Sequence, residues 1–153
     1  MASVVAPWLA VRGDRAALRS LMEEVLKALD AGWPSTLDSV PIVRALAAAG
    51  DFDLLGRAVE SMRKSVVVAA KTQTAQLAGE GLLALDDGRA KDAVRLLTEA
   101  VERDRGLGLT YDAACLDLDL ARALEQAGDE SSANEVRARA NAVLQPLGCV
   151  NPF

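Results

Sequence analysis

A chain of 153 residues has the length of about one domain, and 51% hydrophobic residues suffice for a real core. Aromatics are only 3%, so that core must be built from Leu, Val and Ala, which suits closely approaching helices. Lys plus Arg number 17 against 22 Asp plus Glu, and the net charge of −5 argues against unaided binding to a nucleic-acid backbone or an anionic membrane surface. Histidine is absent, which removes the commonest general base and the commonest metal ligand. The two cysteines, Cys115 and Cys149, form neither a disulfide framework nor a zinc motif, and fit a reduced cytoplasmic setting. No run approaches the ~18 apolar residues of a membrane span. The apolar start, residues 1–11, contains Pro7 and no basic leader, and is not read as a signal peptide.

Glycines followed by a polar or acidic helix start recur at Gly13-Asp14, Gly50-Asp51, Gly88-Arg89 and Gly128-Asp129, spaced 37, 38 and 40 residues apart. A glycine can supply the left-handed residue that ends one helix, and an acidic residue after it suits the positive end of the next. Each glycine therefore marks a tight turn inside a helical hairpin.

In chain order, the first unit is incomplete. Residues 4–12 are too few for a full helix, and Pro7 limits it further. Residues 14–31 then read as a helix with Leu18, Leu21, Val25, Leu26 and Leu29 on one face. A truncated opening repeat suggests that the chain was cut from a longer array. Gly32-Trp33-Pro34-Ser35 is a break. The second unit starts at Asp38 or Ser39 with Pro41 in its first turn, and its partner helix carries Leu54, Leu55, Ala58, Val59 and Met62. Gly56 inside that helix either permits close contact or merely weakens it. The β-prone run of residues 65–70 reads as the end of this helix, because no strand partner is evident. The third unit has helices over 74–87 and 89–104, the fourth over 110–127 and 129–147. Pro152 stops any continuation, and Cys149, Val150 and Phe153 are placed to cover the last hairpin.

The third unit carries a recognisable pattern. Gly81 lies seven before Gly88, Ala93 five after it, Ala100 twelve after it and Asp104 sixteen after it; Ala121, Ala133 and Ala140 repeat the pattern around Gly128. This resembles the tetratricopeptide repeat, a helix-turn-helix of about 34 residues with small residues at fixed offsets. Leu55 and Met62, then Leu18 and Val25, stand at the small positions of the earlier units. Leu77, Asp117, Ala84 and Leu124 replace the aromatics of the consensus. The phrases around residues 78–85, 98–101, 107–111 and 144–148 look like the C-terminal helical-repeat region of large bacterial signalling ATPases. These include adenylate or guanylate cyclase-type proteins and ATP-dependent transcription activators. The resemblance implies an ATPase and an effector or cyclase domain ahead of the repeats; the phosphate-loop motif of such an ATPase is absent from these residues. The expected fold is all-α, a TPR-like α-α superhelix (solenoid) of about three and a half hairpins. It forms one domain, with units over about 1–33, 34–71, 72–107 and 108–147 and a tail over 148–153.

In such an array the first helix of each hairpin lines a concave face. By resemblance the lining positions are Leu37, Val40, Arg44 and Ala47, then Ala75, Ala78, Leu82 and Leu85, then Cys115, Leu118, Arg122 and Glu125. This line is largely apolar and would suit an apolar or amphipathic helix; the same positions read equally as intramolecular core. The Lys and Asn with which chaperone-binding repeats hold a terminal carboxylate are missing. Asp112, Asp117 and Asp119 lack the loop of a metal site and read as a solvated helix face. Cys115 reads as a packed helix residue. No catalytic, cofactor or metal residue is expected. The expected function is a non-enzymatic, cytoplasmic scaffold. It binds a protein or peptide, including an ATPase or cyclase domain of the same chain, without direct contact to nucleic acid or membrane. The alternative is a helical sensor of a small molecule or peptide, marked by a closed pocket near Trp8, Trp33 or Tyr111 that regulates an attached enzyme.

Overall fold

The computed structural model describes residues 2–30, 39–64 and 69–148. Among them the chain is all-α, with α1 (Ala2–Val11), α2 (Arg15–Asp30), α3 (Ser39–Ala49), α4 (Phe52–Lys64), α5 (Ala70–Asp86), α6 (Ala90–Gly106), α7 (Thr110–Gln126) and α8 (Glu130–Leu144). A 3-10 turn, Gln145–Leu147, follows α8. No helix among the described residues is long and apolar enough to cross a membrane.

One turn geometry recurs five times. Gly13, Gly50, Gly88, Gly108 and Gly128 all lie at φ between +70 and +85. At the first, Gly13 N–H donates to the Ala10 carbonyl and Asp14 N–H to the Leu9 carbonyl, both at 3.0 Å. The same pair of bonds closes the other four turns. This is the Schellman end, in which a left-handed residue satisfies two carbonyls that the helix leaves open. Three of the turns also start the next helix. Asp14 accepts from Ala17 N–H at 3.1 Å, Asp51 from Leu54 N–H at 3.3 Å and Asp129 from Ser132 N–H at 3.1 Å. At the third turn Arg89 makes no side-chain cap and pairs instead with Asp87 and Asp92. Gly108 joins α6 to α7 by the same device, although Leu109 follows it instead of a polar residue.

The chain divides into two compact units between Gly79 and Glu80, inside α5. In the first, α1 packs on α2 and α3, and α4 on α2 and α3. Leu18, Met22, Ile42, Val43, Leu46, Leu54 and Leu55 are buried there. Arg19 reaches from α2 to the start of α4, with Nη1 2.9 Å from Asp51 and Nη2 3.3 Å from Asp53. Gly79 belongs to this core: a Cβ there would lie 2.5 Å from Val59 Cγ2. Gly56 has no neighbour within 4 Å of such an atom, so its effect is to weaken α4 rather than to admit a close contact.

In the second unit α7 packs against both α6 and α8. The small residues singled out by spacing, Ala93, Ala100, Ala121, Ala133 and Ala140, are fully buried. Gly81 is equally close-packed, with Leu97 Cγ 2.8 Å from where its Cβ would stand. Alanine and glycine at these places let helix axes approach with at most a methyl group between them.

Four expectations need correction. Residues 2–11 do form a helix, and Pro7 lies inside it. Pro7 removes one ladder bond, but Ala6 and Leu9 are buried against the neighbouring helices, and packing outweighs the local loss. The last helix ends at Leu144, three residues early, with Pro146 in the 3-10 turn and left-handed Gly148 closing it. Asp117 and Asp119 are buried rather than solvated, because α7 is packed against both α6 and α8. The β-prone run is expected to end the second unit's helix, but α4 ends at Lys64, Ala69 is not helical and Ala70 already opens α5, four residues before the expected start at 74. The readings placed on residues 32–35, on 65–68 within that run and on the tail at 149–153 lie outside the described residues.

Two substitutions separate packing from propensity. Gly56→Ala should raise stability by about 0.5–1 kcal/mol, the ordinary helical gain of alanine over glycine. Gly79→Ala should lower it, because overpacking costs roughly 1–3 kcal/mol and exceeds that gain. Thermal or urea unfolding of the pair checks both signs.

The cap at α8 supplies a pH dependence. Hydrogen bonds from Ser132 hold the Asp129 carboxyl below its ordinary value of 3.8. Its folded pKa is depressed, so the cap stabilises above that ordinary value and the contribution is lost as pH falls through the folded value. Asp129→Ala should lower the thermal midpoint at neutral pH, and the gap from the parent should close as the solution is acidified below pH 3.8.

Candidate functional site

Of the lining positions read from the sequence, Val40, Arg44, Ala75, Ala78 and Leu82 are buried. They contribute packing, not open surface. Ala47, Leu85 and Leu118 are half-buried, and Arg122 and Glu125 are exposed. Leu37 lies outside the described residues. Leu118 packs beside Ala114, Cys115 and Leu144, so its outer edge is the apolar part of this surface. Along α7, Arg122 and Glu125 follow Leu118 at spacings of four and seven, on one helix face. Arg122 stands 3.9 Å from Asp119, and Glu125 accepts from Arg137 of α8. The open surface of α7 is thus an apolar edge continued by a cation and a paired anion.

Cys115 is buried, as its reading as a packed helix residue expects. Trp8 is 55% exposed, with the Arg12 guanidinium 4.6 Å from its ring centre, and Tyr111 is 44% exposed. Trp33 lies outside the described residues. An open groove of about 530 Å³ runs along α4 past Phe52, Gly56, Arg57 and Ser61, deepened where Gly56 lacks a side chain. No group of three or more His, Cys, Asp or Glu is arranged to hold a metal ion among the described residues.

A polar constellation that spacing did not reveal lies in the second unit. The Asp117 side chain is 2% exposed and carries two arginines. Arg139 of α8 donates from Nη2 to Oδ1 at 2.8 Å and from Nε to Oδ2 at 3.2 Å, a two-pronged contact. Arg105, at the end of α6, donates from Nη2 to the same Oδ2. The hydrogen bond to Asp117, with its charge, raises the Arg139 guanidinium above its ordinary value despite partial burial. A carboxylate drawn out of water needs this kind of compensation, and arginine's fork supplies it. A signal was present in the sequence: Asp117 lies between Ala114 and Ala121, at helical spacings of three and four, on a stripe of small buried residues. Arg105 and Arg139 carried none, because each is remote from Asp117 in the chain.

Comparison with protein-family models, with curated proteins and with solved structures finds no match for this chain.

The constellation is asymmetric, which makes it testable. Both arginines reach solvent, whereas the carboxylate does not. Arg139→Ala leaves the buried carboxylate with Arg105 alone and should cost about 1–3 kcal/mol, discounted for the arginine's exposure. Asp117→Asn leaves two hydrated cations and should cost less. Chemical denaturation of both variants gives the order; the reverse order would mean that the arginines are not what keeps Asp117 buried.

Proposed function

We propose that this chain is a non-enzymatic helical-repeat scaffold that binds a protein or peptide. The reading places it among divergent tetratricopeptide-type repeats, as a cytoplasmic regulatory part of a larger bacterial signalling or transcription-regulating ATPase. Its hairpins would stack into a superhelix. The observation that carries the reading is the turn repeated at Gly13, Gly50, Gly88 and Gly128. Each has the same pair of hydrogen bonds, and the spacing is nearly constant. Repeated hairpins of this kind commonly present their surfaces to other proteins. The buried alanines at the repeat offsets support the same reading, since they are where such units need small residues.

The part of the surface suited to a partner is the exposed line of α7, with Leu118, Arg122 and Glu125. An amphipathic helix could set an apolar residue against Leu118 and charges against Arg122 and Glu125. Of the residues that would mark the sensor reading, Trp8 and Tyr111 are exposed and Trp33 lies outside the described residues.

Immobilised full chain should retain a protein from cell extract, identified by mass spectrometry. The double variant Arg122→Glu, Glu125→Arg, with its helical content checked, should lose that protein. Retention of no protein by the parent chain, or equal retention by the variant, would remove the support for this surface.

A further inference from the structure

The pair of arginines on Asp117 has more capacity than Asp117 uses. Two guanidinium groups offer ten N–H donors, and the carboxylate takes three hydrogen bonds from them. No other acidic group among the described residues pairs with Arg105 or Arg139. Both guanidiniums converge on Oδ2 of one carboxylate, so two cations stand side by side with a single anion between them. The site keeps a net positive charge within a chain of net charge −5. The arginine side chains are 39% and 48% exposed, so the unused edges are open to an incoming group. Holding two long side chains in place is the usual entropic cost of such a site, and buried Asp117 meets it in advance.

We infer that Arg105 and Arg139, positioned by Asp117, form a binding site for an oxyanion of carboxylate or phosphate geometry. The planar fork of each guanidinium matches both chemistries, and a second anion opposite Asp117 would balance the charge of the pair. Asp117 acts through the arginines, as a positioning residue. The site is independent of the α7 surface proposed above, which lies on Leu118, Arg122 and Glu125.

The test uses the full chain labelled with nitrogen-15, at constant ionic strength, following the arginine Nε–H signals by NMR. One arm adds inorganic phosphate and the other a glutamate-rich peptide. Saturable shifts confined to Arg105 and Arg139 are expected in at least one arm, and the arm that saturates at lower concentration identifies the source as free phosphate or a peptide carboxylate. Arg105→Gln should weaken binding by about tenfold or more, the loss of one charge-assisted contact. Asp117→Asn keeps both cations but loosens their placement; it should also weaken binding, which a merely electrostatic attraction would not show. No saturable shift in either arm, or equal shifts at the exposed Arg95 and Arg122, would overturn the inference.

Discussion

Everything in this fold depends on ending a helix sharply and at once beginning another. A helix leaves its last carbonyls without partners, and a chain that must reverse cannot leave them facing apolar neighbours. A glycine in the left-handed region satisfies two of them with the next two N–H groups. L-residues with side chains resist that conformation, so the position belongs to glycine. Aspartate immediately after it does the complementary work, accepting from the first turn of the new helix. Where such a turn reduces the connection to a few residues, the two helices it joins lie side by side, as α1 and α2, α3 and α4, α6 and α7, and α7 and α8 do, and their apolar stripes are buried by that adjacency.

The composition sets how close that packing becomes. With so few aromatics, both units fill their cores with leucine, valine and alanine, and alanine is the commonest buried residue in each among the described residues. Glycine takes this furthest in α5. A single added carbon would press on Val59 at residue 79 and on Leu97 at residue 81. These glycines sacrifice helix propensity for closeness, whereas Gly56 sacrifices it with no contact in return. The same residue type thus has three meanings here: a turn, a contact and a local weakness.

Charge is managed by a related economy. Most ion pairs lie on the surface, within a helix turn or across one connection, and contribute little individually. Asp117 is different because its carboxylate is withdrawn from water and two arginines from different helices must follow it. That requirement links α6, α7 and α8, and it also leaves cationic edges exposed. The α7 line of Leu118, Arg122 and Glu125 is a separate surface, and it fits the scaffold reading because it combines an apolar edge with fixed charges.

The sequence alone determined the all-α class, the four hairpin turns and most helix limits, because glycine conformation, capping and apolar period are local. It also picked out Ala93, Ala100, Ala121, Ala133 and Ala140, since their spacing places them on packed faces. Tertiary structure alone decided the rest. The helix through Pro7 survives because neighbours cover it, and the turn at Gly108 hides behind a leucine where a polar start is expected. Among the lining positions, spacing could not tell an open face from a covered one: Val40, Ala75, Ala78 and Leu82 are buried, while Arg122 and Glu125 are open. Asp117 shows the reason most plainly. Its burial depends on Arg105 and Arg139, and only folding brings those charges to it.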